Sequence, residues 1–274
     1  MTKPYIGITG VVTPADVATI ASCVALLPPS HRLMAGVLVS AKTLRGEWAT
    51  SRRYPHASQV DALLTACADA GAWPVVHYNT RAEGEVLGFE LALLSSRLFP
   101  AMRGLQLNVA RPDPAVVSEF AARHSAVEVI VQVNRAALGD DPVPADAVLY
   151  ANGYVGARHA LLDLSGGRGA AVDASFAARV TQAWRLLGAA TRLGVAGGLG
   201  PDAGGALATL REAVGADWFA SLSFDAESGV RSPVADPTPG EKHQDALDAD
   251  KARAWVRVAA DAVTSAAVAR SGDA

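Results

Sequence analysis

The chain has 274 residues, is 50% hydrophobic and 19% charged, and carries a formal net charge of −3. That apolar share supports a sizeable core and excludes a disordered chain, while the slightly acidic balance argues against non-specific binding to nucleic acid or an anionic membrane. Two cysteines, Cys23 and Cys67, are too few for a disulfide framework and too scattered for a metal cluster, and no set of His, Cys and acidic residues has metal-ligand spacing; no metal is expected, and no cofactor either. The apolar run from Cys23 stops at Pro28-Pro29, well short of the ~20 residues of a membrane helix. The opening MTKPYIGITG lacks a basic region followed by a long apolar stretch, so a cytoplasmic protein is expected.

Short apolar or β-branched runs alternate with helical patterns along the chain. Tyr5–Ile8 is followed by Thr13-Pro14-Ala15-Asp16, which places an N-cap at Thr13 and proline at the first helical position. Ala35–Val39 leads into an unusually long connection from Ser40 to Pro55. Trp73–Tyr78 and Gly104–Asn108 come next, then a second cap-and-proline pair at Asp113-Pro114. Val127–Val133 precedes room for only a short helix, Pro144 to Ala151. His159–Leu164 and Leu193–Ala196 follow, and Pro201-Asp202 opens another helix. The eighth run, Trp218–Phe224, gives way to a second long connection, Ala226 to Asp250. A last helix, opening at Asp248 or Asp250, sets Ala252, Trp255, Ala259, Ala262, Val263 and Ala266 on one stripe.

Each run is nearly all apolar, as in strands covered on both faces. Eight strand–helix units predict an α/β fold, a (β/α)8 TIM barrel spanning 1–274 as a single domain, in preference to a doubly wound open sheet. Both long connections fall at the C-terminal ends of strands, where such a barrel keeps its active site.

Three stretches could carry chemistry there. Gly197 and Gly198 end the seventh strand, ahead of a helix whose N-terminus favours an anion. Ser228 and Gly229 make a second small-residue turn after the eighth strand, and together the two turns predict a phosphate site; alone, Gly197-Gly198 would only make a tight turn. Asp163 ends the sixth strand before the loop Gly166-Gly167-Arg168-Gly169, where it could serve as a general acid or merely cap backbone amides.

In their order, these stretches resemble phosphoribosylanthranilate isomerase, the barrel enzyme of tryptophan biosynthesis. The resemblance rests on Ile6-Gly7-Ile8-Thr9, Ser51-Arg52-Arg53-Tyr54, Val76-His77-Tyr78-Asn79 and Gln106-Leu107-Asn108. It continues through Leu161-Leu162-Asp163, the glycine loop, Ala196-Gly197-Gly198-Leu199, Asp225 to Val230 and Pro239-Gly240-Glu241-Lys242. It implies an aldose–ketose (Amadori-type) isomerase acting on a small phosphorylated sugar derivative, with Asp163 as acid. Arg53, Asn79, Gln106, Gly167 and Asp225 would contact substrate. The family's basic cysteine aligns with Ile6, whose alkyl group cannot take a proton, and both cysteines fall in helices. His77, at the end of the third strand, is the candidate replacement base, or else a packed histidine. His159 begins its strand at the opposite, stability face.

Glu227 stands where the family has serine. A carboxylate there would repel phosphate unless it turned outward or met a cation such as Arg231. Arg45, Arg52 and Arg53 make the Ser40–Pro55 loop basic, which predicts a lid that orders over the mouth on ligand binding, the alternative being a solvated loop. The alternative functions are a non-catalytic phosphometabolite-binding homologue, or a different reaction on the same barrel. The expected partner is a small phosphorylated ligand, with no nucleic acid and no membrane, in a monomer or homodimer.

Overall fold

A computed structural model describes residues 2–47, 52–98, 101–165, 172–237, 239 and 243–268. Eight parallel strands close into a barrel in sequence order. They are β1 (Tyr5–Thr9), β2 (Arg32–Ser40), β3 (Trp73–Asn79), β4 (Gly104–Asn108), β5 (Glu128–Asn134), β6 (His159–Asp163), β7 (Arg192–Ala196) and β8 (Ser223–Ala226), and β8 pairs back onto β1. The connection after β8 adds a small antiparallel pair, β9 (Arg231–Pro233) and β10 (Asp245–Leu247). The predicted (β/α)8 barrel is therefore the fold. No helix among the described residues is long and apolar enough to cross a membrane.

The helix starts follow the local chemistry. Thr13 and Asp16 form a reciprocal capping box, with Thr13 N donating to Asp16 Oδ2 at 2.8 Å and Asp16 N to Thr13 Oγ1 at 3.2 Å. Asp113 accepts from Ala115 N at 2.8 Å. The last helix, Ala249–Val268, is capped by Asp248, whose Oδ1 accepts from the amides of Asp250 and Lys251 at 3.0 Å. Its stripe seats Trp255 in the core, with Nε1 donating to the Gly7 carbonyl at 3.0 Å.

Two expectations need correction. The run beginning at Trp218 is not strand throughout: Ala216–Phe219 is a helical turn and β8 starts at Ser223. Phe219 is fully buried, and a short apolar run cannot distinguish a buried turn from a strand. Pro201–Ala203 forms a 3-10 turn, and the α-helix begins only at Gly204.

Side chains alternate between two buried layers. Tyr5, Met34, Trp73, Val75, Ile130 and Leu161 fill the barrel interior. Ile6 and Ile8 belong instead to the larger core between barrel and helices, with Cys23 and Cys67. At the N-terminal end of the barrel, Arg32 lies 3.4 Å over the Trp73 ring and forms hydrogen bonds of 2.8 and 2.6 Å with Glu128. His159 Nε2 joins Glu128 at 2.9 Å, so His159 belongs to a structural cluster away from the mouth.

Candidate active site

At the C-terminal mouth, the inward positions of five strands change from apolar to polar. His77 (β3), Gln106 (β4), Gln132 (β5), Asp163 (β6) and Asp225 (β8) line one cavity. Glycines make room for the deepest of them. A Cβ on Gly7 would stand 2.6 Å from Asp225 Oδ1, and one on Gly36 would stand 2.5 Å from Thr9 Oγ1.

Asp225 is the buried centre of this floor. Thr9 Oγ1 donates to it at 3.0 Å, and Gln106 Nε2 approaches its other oxygen at 3.5 Å. Burial raises its carboxyl to about 7, and the charges of Glu227 and Asp163 add to the rise; the Thr9 and Gln106 hydrogen bonds oppose it. Burial lowers the His77 pKa despite the nearby Glu227 and Asp163 carboxylates. Gln106 Nε2 lies 3.3 Å from His77 Nδ1. With that amide as donor, the neutral imidazole carries its proton on Nε2. Among the described residues, His77 Nε2 and Gln106 Oε1 are buried without hydrogen-bond partners, leaving one donor and one acceptor at the floor.

Asp163 is oriented by Ser165, which donates from its backbone N at 3.0 Å and its Oγ at 2.6 Å. Above it, Gly197 and Gly198 take φ of 102° and 59°, so the turn needs glycine at both positions. The chain at Ser228–Val230 packs directly on this turn: a Cβ on Gly229 would overlap the Leu199 carbonyl, and one on Gly200 would lie 2.9 Å from the Gly229 carbonyl. The two proposed phosphate turns are thus adjacent, with Gly197, Gly198 and Ser228 in the cavity wall.

Glu227 lines the same cavity and meets a cation, though not Arg231. Arg53 Nη1 donates to Glu227 Oε1 at 2.7 Å and Arg53 Nη2 to Asp245 Oδ2 at 2.6 Å. Arg231 instead binds Asp245 Oδ1 at 2.7 Å and the Gly10 carbonyl at 3.0 Å. Burial alone would raise the Asp245 carboxyl, but hydrogen bonds and charge from Arg53 and Arg231 outweigh it and hold the group at about 2. Asn79 Nδ2 donates to Tyr54 Oη at 3.0 Å, tying β3 to the same loop. Arg53 and Asn79 therefore belong to a brace at the rim, whereas Gln106 and Asp225 belong to the floor.

Position 6 is corrected outright. Tyr5 and Thr9 face the barrel interior, so the alternation turns Ile6 toward the helices, where it is fully buried. A thiol at this position could not reach the mouth. Cys23 and Cys67 are buried in helices, as expected, and burial pushes the Cys67 thiol up to about 12. Gly167 and its glycine loop, Ser51 and Gly240-Glu241-Lys242 lie outside the described residues. Sequence reasoning missed the roles of Thr9, Gln132, Ser165 and Asp245; Thr9 and Ser165 stood in stretches singled out from the sequence, and only the register of Thr9 reveals its role.

The chain matches no protein-family model and no curated protein. Solved structures do resemble it. A 3-keto-L-gulonate-6-phosphate decarboxylase from Vibrio cholerae O1 biovar El Tor str. N16961 superposes with a TM-score of 0.51 at 14% identity, covering 96% of this chain and 99% of that one. A candidate fructose-1,6-biphosphate aldolase from Coccidioides immitis gives a TM-score of 0.53 at 12% identity, covering 97% and 93%. An uncharacterized B. cereus protein matches at a TM-score of 0.44 and 10% identity over 71% of this chain, which spans 48% of that protein's length. At these identities the likeness concerns the fold.

Proposed function

We propose that the mouth is an active site for acid–base chemistry on a small phosphorylated sugar derivative, of the aldose–ketose isomerisation kind that the motif order implies. The single observation that carries this reading is Asp225: a buried carboxyl near pKa 7, sharing one cavity with Asp163, beside the two glycine turns. A carboxyl raised toward neutrality by burial suits the removal of a proton from carbon, because catalysis favours a pKa near the operating pH. Asp225 would fill the role that position 6 cannot. Asp163 would deliver a proton to the sugar oxygen, and His77 Nε2–H would donate a hydrogen bond to the developing enediol oxygen. The phosphate would sit against Gly197, Gly198, Ser228 and Gly229. Two structurally similar proteins are named for phosphorylated sugars, which is in keeping with such a ligand.

The test is isotope exchange. Phosphorylated aldoses and aminoaldoses that shift the amide NMR signals of the two glycine turns are incubated with the protein in D2O, and deuterium at the carbon beside the carbonyl is followed by NMR. The reading expects exchange that Asp225→Asn and Asp163→Asn each abolish; losing a positioned acid or base typically costs ~10²–10⁴-fold. Binding without exchange would instead support the non-catalytic reading.

A further inference from the structure

The mouth is rich in carboxyl groups: Asp163, Asp225 and Glu227 share its central cavity. An anionic ligand entering there needs opposing charge. Two nearby guanidinium groups are already matched, Arg53 by Glu227 and Asp245, and Arg231 by Asp245. Arg135 is not. It makes one hydrogen bond, from Nη1 to the Asp140 carbonyl at 3.2 Å, and among the described residues no carboxylate lies within ion-pair distance of it.

Arg135 immediately follows β5 and is exposed. Its turn is braced on both sides: Asn134 Oδ1 accepts from Ala137 N at 2.9 Å, and Arg111 Nη2 donates to the Ala137 carbonyl at 3.0 Å. Arg135 lines a cleft that also contains Gly197 and Ser165, and an adjoining cleft that contains Gln132 and Asn108. Gln132 and Ser165 in turn line the central cavity, so shared wall residues link the surroundings of Arg135 to the floor. Two inter-strand steps of about 4.8 Å separate β5 from β7, so roughly 10 Å lies between the strand ends that carry Arg135 and Gly197. That is the span of a chain of about five or six carbons between two oxyanions.

We propose that the ligand carries a second acidic group, a carboxylate or a second phosphate, and that Arg135 anchors it. This rests on the phosphate reading of the glycine turns, and it narrows the substrate class to phosphorylated sugar acids or sugar bisphosphates. Guanidinium pairs with either oxyanion through two parallel hydrogen bonds. The carboxamides of Gln106, Asn108 and Gln132 would hold the hydroxyl groups between the two ends.

Calorimetric titration of the full chain separates the possibilities, using inorganic phosphate, glucitol 6-phosphate, 6-phosphogluconate and a hexitol 1,6-bisphosphate. The expected result is that 6-phosphogluconate or the bisphosphate binds about ten- to hundred-fold more tightly than glucitol 6-phosphate. Whichever gains more identifies the second group. Arg135→Gln should erase the gain while leaving glucitol 6-phosphate affinity unchanged, and Arg135→Lys should keep part of it. A gain that survives Arg135→Gln, or no gain at all, overturns the proposal. If glucitol 6-phosphate and inorganic phosphate also fail to bind, the underlying phosphate reading falls with it.

Discussion

Gly7 and Asp225 are paired in register on neighbouring strands β1 and β8, and a Cβ on Gly7 would stand 2.6 Å from the Asp225 carboxyl. The missing side chain on one strand is what lets a carboxyl be buried on the other. Gly7→Ala should therefore overpack the floor, costing about 1–3 kcal/mol of stability and displacing Asp225 from Thr9. Urea denaturation with substrate-exchange assays would check both effects, and an unchanged variant would mean that the floor has slack.

The opposite end of the barrel should make the protein acid-sensitive. Burial raises the Glu128 carboxyl, but the hydrogen bonds and charges of His159 and Arg32 outweigh it and bring it to about 2, while burial lowers the His159 pKa. Both groups bind fewer protons folded than unfolded. The stability they contribute is thus present above their unfolded pKa values and is lost as pH falls, from near 6.5 for His159 and near 4.5 for Glu128. Glu128→Gln should cost about 2–3 kcal/mol at pH 7 and flatten the loss between pH 5 and pH 3, read by denaturation at each pH. Parallel curves for wild type and variant would contradict this account of the cluster.

Ile6→Cys provides a control on the register of β1. Because Ile6 points toward the helix layer, the new thiol should resist modification in the native protein, and no isomerase activity should be gained. Trimming the side chain should cost about 1–3 kcal/mol. Rapid native-state labelling by a thiol reagent would place position 6 in the mouth after all.

These cases mark what the amino-acid sequence could reveal. The eight apolar runs and the caps at Thr13 and Asp113 carry the barrel, because a buried parallel strand needs continuous apolar character and a helix start needs a side-chain acceptor. That same continuity hides the parity of Tyr5–Ile8: both faces of a barrel strand are buried, so no alternation says which residues look inward. Ile6 therefore took the place that belongs to Gly7. The partner of Glu227 was hidden for another reason, since Arg53 reaches it across the mouth from a distant loop and no local spacing encodes that pairing. Asp163 and Asp225 were legible as strand-end residues, but the burial that tunes Asp225 is a property of the closed barrel.

The most direct test follows the Asp225 carboxyl itself. Carbon-13 NMR of aspartate-labelled protein, assigned with Asp225→Asn, would be recorded from pH 4 to pH 9. A folded pKa near 7 means that stability falls as pH rises from about 4 to 7 and then levels off, so Asp225→Asn should gain on the wild type by about 2–4 kcal/mol over that interval. A single carboxyl should titrate near pH 7 and move when phosphorylated ligand enters the mouth. An Asp225 signal fully ionised by pH 5, and indifferent to ligand, would contradict its proposed role as the base.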